Sequence, residues 1–103
     1  MTHLDAIARS RDIPLIVDGA YGLPFPNIVF TEATPQWNDN TILSLSLSKL
    51  GLPGARTGIV IAREDIIRAF TNANTIVSLA CGNLGPALAG PLFDSGEILR
   101  LGR

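Results

Sequence analysis

Apolar and polar positions divide the chain into short segments of two different periods. Leu4, Ile7 and Ala8 recur at helical spacing with Asp5, Arg9 and Arg11 between them, which predicts an amphipathic helix that Asp12 ends. Thr2 and Asp5 read as a cap pair, with an acid where the helix dipole favours one. Residues 13–17, Ile-Pro-Leu-Ile-Val, form a run apolar on both faces, the pattern of a strand in a parallel sheet covered on both sides. Pro14 fits the first positions of such a strand, where a missing N–H matters least. Residues 23–30 read as irregular, with Pro24 and Pro26, and residues 31–40 as a polar loop whose Trp37 packs on the surface or at an interface. Residues 41–46 are a second strand and residues 57–62 a third. Too few residues separate them for a helical crossover, so the third should run antiparallel to the second. Glu64 and Asp65 open a helix whose apolar stripe runs through Ile66, Ile67, Phe70, Ile76 and Val77, with residues 71–74 as either a break or a polar face. Residues 82–86 stop one helix and start another, which extends over 87–101 with breaks expected near Gly90-Pro91 and at Gly96. The predicted class is α/β: a three-layer body with a mixed sheet of three strands and flanking helices.

Composition changes this picture in one respect. The chain has 103 residues, 47% hydrophobic and only 17% charged, so it allows one domain and a core. That is rich in apolar surface for so small a body, and some of it should face something outside the chain: more of the same polypeptide, or a partner subunit. No clear domain end is visible at either terminus, and both ends read as cuts inside a larger fold. A net charge of −1 without a basic stripe points away from nucleic acid and anionic membranes. No apolar run reaches the ~18 residues of a membrane span, and the charged first residues do not resemble a signal peptide. Cys81 is the single cysteine; it fits a reducing, cytoplasmic setting and a buried, small apolar role. His3 reads as solvent-exposed, and nothing in the sequence suggests a metal site.

The chemistry-bearing residues fall at strand ends. Asp18 closes the first strand, where open α/β sheets place ligand-binding groups, although such a residue more commonly caps a turn. Tyr21 follows three residues later and by itself reads as a half-buried core aromatic. Lys49, the only lysine, follows the second strand in Ser44-Leu45-Ser46-Leu47-Ser48-Lys49. It is either an amine wanted at one place for chemistry or a strand end that finishes in a cation. Arg56 lies seven residues on, leading into the third strand. If the strands are neighbours, these groups converge on one edge. An acid, an amine, a guanidinium and the Ser46 and Ser48 hydroxyls suit pyridoxal 5′-phosphate. Its aldehyde needs a lysine amine, its ring nitrogen a carboxylate, its phenolic oxygen a donor such as Tyr21, and its phosphate hydroxyls and an arginine fork.

Two segments resemble the fold type I pyridoxal-phosphate enzymes, in particular the class I and II aminotransferases. Asp18-Gly19-Ala20-Tyr21 is similar to that family's Asp-x-Ala-Tyr. Ser46-Leu47-Ser48-Lys49, then Leu52-Pro53-Gly54-Ala55-Arg56-Thr57-Gly58, is similar to its Ser-x-Ser-Lys…Leu-Pro-Gly-x-Arg-x-Gly. The resemblance covers nearly the whole chain, residues 1–103, as the central part of the family's cofactor-binding large domain. It implies that Lys49 is the catalytic lysine that holds the cofactor. It implies further that Asp18 pairs with the pyridine nitrogen, that Tyr21 binds the ring oxygen, and that Ser46 and Arg56 hold phosphate with Ser48 beside them. The interval from Lys49 to Arg56 is one residue shorter than the family's usual one. This short form, with Asp-Gly-Ala-Tyr-Gly-Leu-Pro-Phe-Pro before it, most resembles the valine–pyruvate subfamily.

The resemblance implies amino-group transfer between an amino acid and a 2-oxo acid, in a homodimer or other homo-oligomer. The family's glycine-rich turn and ring-stacking aromatic are expected upstream, and its substrate-carboxylate arginine downstream. The 103-residue chain alone is therefore expected to be inactive as a transaminase. A second reading takes the chain as a non-catalytic body that self-associates through its apolar faces. A third, a nucleotide phosphate loop at residues 51–58, lacks the Gly-Lys-Ser/Thr that such loops need.

Overall fold

The computed structural model describes residues 2–21, 37–49 and 51–101. The irregular run expected over 23–30 and the 31–36 part of the polar loop lie outside the described residues. The order of elements is α1 (Thr2–Ser10), β1 (Leu15–Asp18), β2 (Thr41–Ser46), a 3-10 turn (Leu47–Lys49), a second 3-10 turn (Pro53–Ala55), β3 (Gly58–Ile61), α2 (Glu64–Ser78), α3 (Leu84–Asp94) and α4 (Ile98–Leu101).

The three strands form one mixed sheet in the order β1-β2-β3. β1 pairs parallel with β2, Asp18 opposite Ser44, and β2 pairs antiparallel with β3, Ser46 opposite Gly58. The ends of β1 and β2 and the start of β3 therefore share one edge of the sheet. At the opposite edge α1 is tied to the segment entering β2. The Asp5 carboxylate accepts from Arg9 Nε at 3.0 Å and from the side-chain amides of Asn38 and Asn40 at 3.2 Å, and Arg9 also donates to Asp39. Asp5 thus acts as a cross-link between elements rather than as a helix cap.

The middle strand carries the burial. Thr41, Ile42 and Leu43 are buried, and a small cluster of Leu47, Ala89 and Ile98 is packed round by Leu45, Leu52, Ile59 and Leu92. Leu47 is wholly enclosed, so the turn that delivers Lys49 is also the chief anchor of the core. β1 departs from the expected burial on both faces: Leu15 and Val17 are half-buried, whereas Ile16 is 68% exposed. The α2 stripe also lies open, with no buried residue in its 15 and Ile76 and Val77 more than four-fifths exposed.

Of the two readings for 71–74 the polar face holds and the break does not: α2 runs through these exposed residues. Thr71 and Thr75 turn their hydroxyls back onto the carbonyls of Ile67 and Thr71, at 2.9 Å each, which satisfies the hydroxyls within the helix. Nor does Gly90-Pro91 break α3. Gly90 carries no Cβ to meet the proline ring, which relieves the usual restriction on the residue before proline. The break at Gly96 is real: its φ of 71° is left-handed, and it separates α3 from α4. Cys81 corrects the sequence reading. It is exposed, in the link between α2 and α3, and its sulfur accepts from Asn74 Nδ2 at 2.8 Å.

Candidate functional site

The shared sheet edge collects every residue singled out from the sequence. Asp18 is the last residue of β1 and Ser46 the last of β2; Ser48 and Lys49 lie in the turn that follows β2, and Arg56 stands two residues before β3. A parallel partner brings a strand's end to this edge, and an antiparallel partner brings a strand's beginning. That is why the acid follows its strand while the arginine precedes its own.

Two local contacts tie these residues together. Lys49 Nζ sits 4.7 Å from the centroid of the Tyr21 ring, within the range at which an ammonium is attracted to an aromatic face. The chain leaving β1 and the turn leaving β2 thus meet at the amine. On the other side of the turn, Arg56 Nη1 donates to Ser48 Oγ at 3.1 Å. The short Lys49–Arg56 interval therefore keeps the guanidinium beside the serine turn. Ser46, half-buried, faces Gly58 across the ladder.

Asp18 is exposed, and its Oδ1 accepts from the Ala20 amide at 3.0 Å and from Ser44 Oγ at 3.3 Å. The first bond is the turn-capping role expected of such a residue; the second crosses to β2. The sequence reading does not single out Ser44. Its only signal there is alternation, which puts Ser44 and Ser46 on one face of β2; the register that sets it opposite Asp18 depends on the intervening segment.

Four of the arginines among the described residues are held in ion pairs. Arg9 is bound to Asp5 and Asp39, Arg63 to Asp65, Arg68 to Glu64 and Arg100 to Glu97. Hydrogen bonds from Arg9 hold the Asp5 and Asp39 carboxyls below the usual range, as the Arg63 fork does for Asp65. Lys49 and Arg56 at the edge, and Arg11 away from it, have no carboxylate partner among the described residues. The edge therefore offers an amine, a guanidinium and two hydroxyls to an anionic ligand, with one carboxylate at its far side. Among the described residues no group of three His, Cys, Asp or Glu could hold a metal ion, and no helix is long and apolar enough to cross a membrane.

Behind Arg56 the backbone is tightly enclosed. Thr57 Oγ1 donates to Ala55 O at 2.8 Å, and Thr57 O accepts from Leu47 N at 3.1 Å. A Cβ on Gly85, at the start of α3, would lie only 1.7 Å from Thr57 Oγ1. An open cleft of about 490 Å³ borders this junction, lined in part by Arg56, Thr57, Gly58, Cys81 and Leu84.

Comparison with known proteins gives consistent results. The family model for aminotransferase class I and II matches residues 2–99. A valine–pyruvate aminotransferase of Escherichia coli K12 is 56% identical over 101 residues, 98% of this chain and 24% of that protein. The crystal structure of a valine–pyruvate aminotransferase from Salmonella typhimurium LT2 aligns with a TM-score of 0.88 at 51% identity, over 99% of this chain and 26% of that one. A Psychrobacter arcticum 273-4 structure assigned as an amino-acid aminotransferase aligns with a TM-score of 0.90 at 50% identity, over 99% of this chain and 23% of that one. The chain thus spans about a quarter of the length of the relatives it matches.

Proposed function

The chain belongs to the class I and II aminotransferases, and from that premise we propose that it forms the central part of the cofactor-binding domain of a valine–pyruvate type transaminase. The observation that carries this reading is the meeting of Asp18, Lys49 and Arg56 at one sheet edge, with both cations free of carboxylate partners among the described residues.

The donor set fits pyridoxal 5′-phosphate. When bound, that cofactor supplies an electron sink for charge developed at the substrate α-carbon. Lys49 Nζ would hold the cofactor through its aldehyde carbon, and the same amine would serve as the base that takes the substrate α-carbon proton and the acid that delivers it to the cofactor. Asp18 would pair with the pyridine nitrogen and Tyr21 would donate its hydroxyl to the phenolic oxygen. Arg56, with Ser46 and Ser48, would hold the phosphate, for which the guanidinium fork is suited. The amino group passes from an amino acid to a 2-oxo acid, with valine and pyruvate as the pair. The arginines at 63, 68 and 100 are held in ion pairs, which leaves none of them to clamp a substrate carboxylate. That supports an inactive 103-residue chain within an active longer protein.

Incubation with pyridoxal phosphate, borohydride reduction and peptide mapping test the site. Label is expected on Lys49 and absent in Lys49→Ala; label elsewhere, or none on the native protein, would overturn the assignment. With valine and pyruvate the 103-residue chain is expected to give no product.

The open apolar residues Ile76, Val77, Leu79 and Leu84 favour self-association, either as the homodimer of the enzyme reading or as a non-catalytic assembly. Gel filtration distinguishes a compact monomer from both, and the lysine label separates the two. A cytoplasmic location fits the single free thiol.

A further inference from the structure

We propose that Ser44 is a positioning residue that fixes the orientation in which the Asp18 carboxylate faces the cofactor. This inference rests on the reading of Asp18 as the partner of the pyridine nitrogen.

Asp18 and Ser44 are register partners across the parallel β1–β2 pair. Both donors that reach the Asp18 carboxylate reach the same atom: Ala20 N at 3.0 Å and Ser44 Oγ at 3.3 Å from Oδ1. Among the described residues Oδ2 has no donor. A carboxylate gripped at one oxygen from two directions loses both contacts on any rotation about its Cβ–Cγ bond short of a half-turn, which only exchanges two equivalent oxygens, so the oxygen left over keeps a fixed heading. The Ala20 contact is local and would exist in an isolated turn. The Ser44 contact is the one that refers the carboxylate to the sheet.

The backbone behind Asp18 is confined by the same residue. Gly19 N donates to Ser44 O at 2.8 Å, and a Cβ at Gly19 would come within 2.9 Å of that oxygen and of Leu45 Cδ2. Ser44 therefore holds Asp18 through its side chain and the next residue through its main chain, from a half-buried place in the middle strand. The Ser44–Asp18 bond is longer than the ~2.8 Å of a relaxed hydroxyl contact, and bonds at catalytic groups commonly tighten once the ligand is present. Ser44 acts through Asp18, and its effect belongs in the state of the ring nitrogen rather than in the covalent link to Lys49.

The test uses the full-length protein with Ser44→Ala, Ser44→Thr and Asp18→Asn. The readouts are the dissociation constant for pyridoxal phosphate and the ¹⁵N chemical shift of the ring nitrogen in ¹⁵N-labelled cofactor. Ser44→Ala is expected to weaken binding about tenfold, the scale of one hydrogen bond to a charged acceptor. It is also expected to move the ring-nitrogen resonance toward its unprotonated position, at an unchanged melting temperature. Ser44→Thr, which keeps the hydroxyl, should restore both. A native ring-nitrogen shift in Ser44→Ala, or a folded Ser44→Thr that does not restore it, would overturn the proposal. If Asp18→Asn also leaves that shift unmoved, the assignment of Asp18 itself has failed and the role of Ser44 falls with it.

Discussion

Arg56 is held at φ 45° and ψ 43°, in the left-handed region that costs a side-chain-bearing residue about 1–2 kcal/mol. Strain of this kind persists where the surroundings impose it, and here they are the Thr57 hydrogen bonds and the start of α3. Glycine would relieve it and remove the guanidinium together. Arg56→Gly is therefore expected to leave the free energy of unfolding within about 1 kcal/mol of the native value, since the strain released offsets the backbone entropy that glycine adds. It should weaken pyridoxal phosphate binding at least tenfold, an arginine–phosphate contact being among the stronger hydrogen bonds. Denaturant titration and cofactor titration check the two halves separately; a large loss of stability would mean that the arginine serves the fold. At this scale the places of Lys49 after β2 and of Asp18 at the end of β1 were legible in the sequence, from the apolar runs that precede them. Ser44 and Cys81 were not legible. The first depends on a pairing register and the second on what packs round the α2–α3 link, and neither is written in neighbouring residues.

Among the elements, β2 and β3 and their antiparallel relation follow from run length and the short connection, and the structure bears them out as β2 (Thr41–Ser46) and β3 (Gly58–Ile61). The helices were harder to bound, because residues 71–74 and Gly90-Pro91 carry break signals that α2 and α3 nevertheless run through. One junction between elements sets the position of the arginine. Gly85 lets α3 approach residues 55–57 closely, and a side chain there must displace either the helix or Thr57. Gly85→Ala is expected to destabilise the protein by about 1–3 kcal/mol, the usual range for overpacking. It should also disturb the Ala55 and Thr57 backbone resonances more than those of α1, which heteronuclear NMR would reveal.

At the scale of the whole molecule the body is uneven: a closed centre on β2 and Leu47, and open apolar surface on β1, β3 and α2. Its far edge depends on charge. Because the Asp5 and Asp39 carboxyls are lowered by bonds from Arg9, their contribution is complete above the ordinary carboxylate range near pH 4 and is lost as pH falls through their depressed values. Arg9 stays charged throughout, so no matching loss occurs on the alkaline side. Acidification should free α1 from residues 37–40 before the sheet melts, seen as changes in the α1 amide resonances, and Arg9→Ala should reduce that pH dependence to the part that the Asn38 and Asn40 bonds to Asp5 supply. The reversal of β3 has a consequence for how the rim assembles. The amine and the guanidinium stand near the two ends of one short hairpin connection, so closing that loop costs little chain entropy and is expected early in folding. The carboxylate arrives across a much longer stretch of polymer, when the parallel pair docks. On the proposed reading of the site, the groups assigned to the phosphate are therefore expected to be in place before the carboxylate assigned to the ring.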